Sequence, residues 1–209
     1  MSTDRPIILG SRSPRRFELL SHLLPESRIQ VLAPSDTTEA GFAGLKTLEQ
    51  IRERLTAIAR TKNDAVRNLL TRPGWGGILT ADTVVIADNS QSPIVLEKPD
   101  GPDWERKTRH WFQHYYSGRS HQVATAVCLR TAGEQIVEQL IHTNVHFCEV
   151  TSEMLDWYLS TREPLGKAGG YGLQGAAALF VTAVHGSPSN VVGLPLLETR
   201  QLLQTCQLL

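Results

Sequence analysis

Apolar positions along the chain recur in two rhythms, every second residue or every third and fourth, and the switches between them outline the fold. Residues 6–10 read as a short buried strand, and Ser13 followed by Pro14 marks a helix start, an N-cap with proline in the first turn. Leu48, Ile51, Leu55 and Ile58 fall on one face of a long amphipathic helix that stops before Arg72, Pro73 and Gly74. Residues 78–87 are apolar and β-branched apart from Thr80, Asp82 and Thr83, which is the pattern of a central strand with a polar interruption. Residues 94–96 suit the second arm of a hairpin, and Trp104, Trp111, Phe112 and Tyr115 are spaced as on a helix. Strands follow at 121–129 and 136–150, then a helix at 152–159, a strand at 179–184 and a closing helix at 194–206. Helices and strands alternate, so the expected class is α/β, a mixed twisted sheet with flanking helices and two lobes around a central cleft. With no internal repeat, low-complexity tract or long linker, residues 1–209 are expected to form one domain.

Composition narrows the function classes. Lys plus Arg and Asp plus Glu number 21 each, so no net field draws the chain to nucleic acid or an anionic membrane, and any anion binding must be local. Cys128, Cys148 and Cys206 are widely spaced and form no metal-finger pattern, and the seven histidines show no H-E-x-x-H spacing. A reducing, cytoplasmic setting follows, without a zinc site. The amino-terminal apolar stretch, Ile7 to Leu9, is too short for a secretory or membrane segment. Ser187 and Ser189 lie in no G-x-S-x-G elbow, which gives a serine hydrolase little support.

Three segments can carry chemistry. Ser11-Arg12-Ser13-Pro14-Arg15-Arg16 joins a strand to a helix start, where N–H groups, hydroxyls and guanidiniums suit several phosphate oxygens; a solvated first turn is the competing reading. Asp82 is an ionisable group in an apolar strand, which calls for catalysis, metal binding or a structural pairing with an internal lysine. Lys98, and Lys62 on the polar side of the long helix, are each weak signals alone. The glycine-rich run from Gly166 to Gly175 permits close backbone approach to a ligand, and Gln174 within it suits a base edge. It is neither a Walker loop nor a dinucleotide fingerprint, and a flexible loop is the plain alternative. His121 and His146 read as strand-surface or core residues, and the aromatic run at 104–116 as a helix packing one face.

Taken together and in order, Ser11 to Arg16, Ala81-Asp82-Thr83-Val84-Val85, Glu97-Lys98-Pro99, Ser117-Gly118-Arg119-Ser120-His121, Gly166 to Gly175 and Val191-Val192-Gly193-Leu194-Pro195 resemble the motifs of the Maf family of nucleotide pyrophosphatases. The resemblance implies a fold similar to the inosine-triphosphate pyrophosphatases, a homodimer, and cleavage of a nucleoside triphosphate to monophosphate and pyrophosphate with a divalent cation, Mg²⁺ or Mn²⁺. It implies Asp82 as proton acceptor and metal ligand, with Glu39 as a second acidic ligand. Ser11, Arg16, Lys62 and Lys98 take the phosphate-binding roles, and Arg15, Thr83 and Gln174 those that set base preference, in the combination of the dTTP/UTP subfamily. Gly10 stands where the family usually carries alanine, and Gly166 where it usually carries aspartate. The missing carboxylate keeps open a second expectation, a non-catalytic nucleotide-binding regulator of cell division.

Overall fold

The computed structural model describes residues 5–34, 41–89 and 91–209. Strand β1 (Ile7–Leu9) is fully buried, and the chain turns from it into helix α1 (Pro14–Ser21), whose proline lacks the N–H that a first turn leaves unpaired anyway. Strand β2 (Ile29–Val31) follows. Helix α2 (Leu48–Leu69) opens with a capping box in which Thr47 and Gln50 each accept the other's backbone N–H, and its apolar stripe packs on the sheet. Then come β3 (Gly77–Asn89), β4 (Ser92–Leu96), α3 (Trp104–Trp111), β5 (Ser120–Thr131), β6 (Ile136–Phe147), α4 (Ser152–Ser160), β7 (Val181–His185), α5 (Pro188–Val192) and α6 (Leu196–Thr205).

The seven strands form one mixed sheet in the order β2-β1-β3-β5-β6-β7, with β4 attached to β3. Strand β1 runs parallel to β2 and β3, and the other pairings are antiparallel. The expected α/β class with a mixed, helix-flanked sheet is therefore what the chain adopts. Along β3 the side chains alternate. Leu79, Ala81, Val85 and Ala87 face the clusters built with α1 and α6 at one end and with α3 and α4 at the other, while Val84 and Ile86 face α2.

One detail of the β3 ladder places the site. On one edge β1 pairs only with Gly77–Leu79 and β4 only with Val85–Asn89, whereas β5 covers the other edge from Gly77 to Ile86. Thr80 to Val84 thus have no strand on the first edge among the described residues. A gap of this kind, at the carboxyl end of a parallel strand where neighbouring chains diverge, is where open α/β sheets hold ligands.

Several boundaries differ from the sequence expectation. The helix over 104–115 becomes α3 followed by a π turn, Phe112–Tyr116, which swings Tyr116 fully into the core. The strand expected from 179 begins at Val181, because Ala176–Phe180 forms a 3₁₀ turn that buries Phe180 and leaves Leu179 outside. The last helix waits until Leu196, since Gly193 has a φ of 121° and Pro195 precedes the first turn. Strand β2 and helix α5, three and five residues long, were too short to stand out as periodic segments.

Candidate active site

A cleft of ≈ 670 Å³ opens at the β3 gap, lined by Ser11, Arg15, Arg16, Lys62, Asp82, Thr83, Lys98 and Gln174. All the candidate site residues meet there except Glu39, which lies outside the described residues. Arg12 and Lys167 join the lining, so six cationic side chains stand against Asp82 and Glu163. A chain with no net charge thus concentrates positive potential in one concave place, which suits a polyanion.

Asp82 is on the face of β3 that meets α2, and its Oδ1 accepts a 2.6 Å hydrogen bond from Lys62 Nζ. Both side chains are largely sheltered, at 13% and 14% exposure for Lys62 and Asp82, so the pair interacts in a medium of reduced dielectric. The expectation that Lys62 lies on the polar side of the helix is corrected here. The steps Ile51, Leu55, Ile58, Lys62, Val66 are four, three, four and four residues, and Lys62 continues the stripe that faces the sheet while staying partly exposed to the cleft. The pairing that the structural reading of Asp82 called for does exist, but it sits in the cleft wall rather than in closed core. Among the described residues, Oδ1 is held by Lys62 and Oδ2 takes no hydrogen bond.

Thr83, the next residue, projects to the opposite face. Its hydroxyl accepts from Arg16 Nη2 at 3.1 Å and lies 2.9 Å from Thr125 Oγ1, which donates to the Asn190 carbonyl at 3.3 Å. Either hydroxyl can be the donor of the Thr83–Thr125 bond. Arg16 also donates to Gly193 O at 2.8 Å and to Ser11 Oγ at 3.3 Å, tying α1, β3 and the turn before α6 together. Ser13 is the N-cap by position, yet its hydroxyl makes no cap bond; its own N–H donates to Ser11 Oγ instead. Gly10 lets β1 pass this close to β3, for a Cβ there would lie 2.5 Å from Thr80 Cγ2 and 2.9 Å from Val66 Cγ2. The exchange of alanine for glycine at this position is therefore matched by the packing around it.

The glycine-rich run is pinned rather than loose. Gly166, Gly169 and Gly170 all have positive φ, near 70°, and the last two are buried. Tyr116 OH donates to Gly169 O at 2.8 Å, Tyr158 OH to Gly170 O at 3.0 Å, and Gly169 N to Glu97 O at 3.1 Å. Tyr171 OH is 2.7 Å from His121 Nε2. Burial pushes the pKa values of the three tyrosines well up, so each keeps its proton for donation. Burial, with the charge of His146 adding to it, pushes His121 down to about 3, so it is neutral at ordinary pH. His121, read from the sequence as a strand-surface or core residue, and Tyr171 lie inside the motifs, as Lys167 does, and Tyr116 ends the aromatic run; Tyr158 and Glu163 carry no signal in the sequence.

Lys167 donates to the Glu163 carbonyl at 2.7 Å and is 3.7 Å from its Oε1. Burial lowers its pKa, an effect the Glu163 charge opposes and the Arg15 charge reinforces. The acidic partner that Gly166 does not supply to Lys167 is thus present at Glu163. As for a metal, the described residues contain no group of three or more His, Cys, Asp or Glu able to hold one. The donor set fits an ion that takes one carboxylate and completes its shell with substrate phosphates and water.

Residues 6–206 match the family model described as Maf-like protein. Among curated relatives, a dTTP/UTP pyrophosphatase of Anaeromyxobacter dehalogenans is 39% identical over 95% of this chain and 92% of its own. One of Shewanella oneidensis, with the same name, is 38% identical over 94% and 96%. Of solved structures, a nucleoside-triphosphatase / dITP/XTP pyrophosphatase from Mycobacterium abscessus aligns over 97% of this chain and 94% of its own, at 13% identity and a TM-score of 0.45, too distant for any inference. On the family model and the curated relatives, the chain belongs to the Maf family.

Proposed function

We propose that the protein hydrolyses dTTP and UTP to the nucleoside monophosphate and pyrophosphate. The observation that carries this reading is the Asp82–Lys62 pair, set in the unpaired stretch of β3 within a cleft rich in cationic side chains. The names of relatives 38–39% identical over nearly the whole chain support the same activity.

In the reaction, a water oxygen bonds to the α-phosphorus, the bond from the α-phosphorus to the oxygen that bridges it to the β-phosphorus breaks, and pyrophosphate leaves with that oxygen. Asp82 accepts the water proton. Lys62 holds Oδ1, which leaves Oδ2 to meet water or a cation. Ser11, Lys98 and the start of α1 bind phosphate oxygens, and Arg15 and Lys98 offset charge gathering on the leaving group. Arg16, engaged with Gly193, Thr83 and Ser11, contributes its charge and fixes the positions of those partners. Asp82 would hold a divalent ion, Mg²⁺ or Mn²⁺, together with phosphate oxygens, and such an ion neutralises phosphate charge and polarises the P–O bonds. Arg15, Thr83 and Gln174 set base preference. With Thr83 donating to Thr125, its remaining lone pair suits the ring N–H of uracil and thymine, which cytosine lacks at the same position.

Nothing in the cleft favours a non-catalytic regulator. Its motive was the carboxylate missing at Gly166, and Glu163 already stands beside Lys167. We further read residues 1–209 as one domain that assembles as a homodimer, which light scattering would check, and place it in the cytoplasm, where its three free cysteines stay reduced. No helix among the described residues is long and apolar enough to cross a membrane. The test of the reaction is UTP hydrolysis in oxygen-18 water, with and without a chelator. Label in UMP and turnover restored by Mg²⁺ or Mn²⁺ are expected. Label in pyrophosphate, or release of orthophosphate, overturns the assigned bond cleavage.

A further inference from the structure

Glu163 sits outside the residues assigned above, yet it touches both ends of the glycine-rich run. Its Oε2 accepts the backbone N–H of Ala176, just past the run, while its carbonyl takes the Lys167 ammonium near the start. Its own N–H donates to Thr161 Oγ1, which fixes where the side chain begins. The carboxylate lies against Gly175 so closely that a Cβ there would be 2.3–2.5 Å from its three atoms, although the Gly175 φ of −113° is open to any residue. Lys167 in turn lies along Gly172, whose Cβ would meet its Cε and Cδ at 3.1 and 3.2 Å. The tyrosine hydroxyls anchor Gly169 and Gly170, and among the described residues no such hydroxyl anchors the half of the run that carries Gln174. Glu163 is what ties that half down.

We propose that Glu163 is a positioning residue for base recognition, its carboxylate clasping the loop across Lys167 and Ala176 so that Gln174 is presented to the nucleotide base. The proposal rests on the pyrophosphatase reading for its substrate, and on geometry alone for the clasp. Releasing the clasp leaves Asp82, Lys62 and the phosphate contacts in place, so base discrimination is lost while the chemical step is kept.

The experiment compares wild type with Glu163→Ala, Glu163→Gln, Gly175→Ala and the Glu163→Ala/Gly175→Ala double variant. Gly175→Ala displaces the same carboxylate by steric overlap, so it should copy Glu163→Ala, and the double variant should be no worse than either single one. Expected are a KM for UTP raised about tenfold, a kcat close to wild type, and a UTP-over-CTP preference reduced about tenfold. Glu163→Gln keeps an acceptor for Ala176 N–H and should recover most of the preference. Amide hydrogen exchange of the 166–176 peptide should rise in both single alanine variants, with or without turnover. Equal loss of kcat on all nucleotides with preference unchanged, or unchanged exchange in that peptide, overturns the clasp and leaves the proposed reaction standing. If wild type releases no pyrophosphate, the reaction fails instead. The clasp is then judged by the exchange data and by the UTP and CTP Kd values from calorimetry, where an unaltered Kd ratio overturns it.

Discussion

Burial of His121 makes the stability of the fold depend on pH. The imidazole is 3% exposed, packs among Tyr116, Phe147 and Tyr171, and has its pKa pushed down to about 3 from the ordinary 6.5. Above pH 6.5 neither the folded nor the unfolded chain protonates this residue, and it has no effect on pH dependence. Between 6.5 and 3 the unfolded chain takes up a proton that the native state refuses, so stability falls as pH falls, by about 1.4 kcal/mol per unit. From pH 7 to 4.5 the loss from this one residue is about 2.5 kcal/mol, which for a chain of this length is a drop in Tm of roughly 5–10 °C. The comparison is a double variant, His121→Phe with Tyr171→Phe, which removes the titration and leaves no orphaned hydroxyl beside it. Carboxylates and other histidines titrate alike in both proteins and cancel. Calorimetric melting at the two pH values should show wild type losing that much more than the variant. Equal losses would mean that His121 titrates as an ordinary histidine and that the loop support built on it is wrong.

Three further outcomes follow from the packing of the site. Gly10→Ala should destabilise by about 1–3 kcal/mol in denaturant unfolding, because its Cβ meets Thr80 and Val66 inside 3 Å; an unchanged midpoint would refute the close approach of β1 to β3. Lys62→Met should lower stability by on the order of 2 kcal/mol and cut UTP turnover, since it strips a sheltered carboxylate of its counter-charge; a neutral result would mean the pair is dispensable. Gly166→Asp points a carboxylate into open space, at a φ of 72° that aspartate tolerates better than most residues, and Lys167 already faces Glu163. Its kcat/KM for UTP should stay within about threefold of wild type, and a gain of tenfold or more would show that the missing carboxylate limits this enzyme.

How far the sequence could be read depended on the range of the interaction. The starts of α1 and α2 and the course of β3 are local patterns, and they matched closely. Asp82 stood out because an acid in an apolar strand needs a partner. Lys62, that partner, reads as a polar-side residue, yet the spacing from Ile51 to Val66 continues through it and turns it toward the sheet. The loop anchors were hidden for a different reason. Tyr116 reaches Gly169 across 53 residues and His121 reaches Tyr171 across 50, contacts that only the β3–β5 pairing and the π turn bring about. The flexible loop that stands as the alternative for the glycine run rests on composition alone, and composition does not reveal which hydroxyls will meet its carbonyls. The motif resemblance gathered Ser11, Arg15, Arg16, Lys98, Thr83 and Gln174 before any geometry was known, and the cleft brings those six together.

In the proposed reaction Asp82 takes the proton of the attacking water. Asp82→Asn keeps the shape of the side chain and an oxygen for Lys62, but it removes the base. Pyrophosphate release from UTP with saturating Mg²⁺ should fall by roughly 10²–10⁴ while the melting temperature and UTP Kd change little. A variant that is folded, binds UTP and still releases pyrophosphate at the wild-type rate would contradict the account.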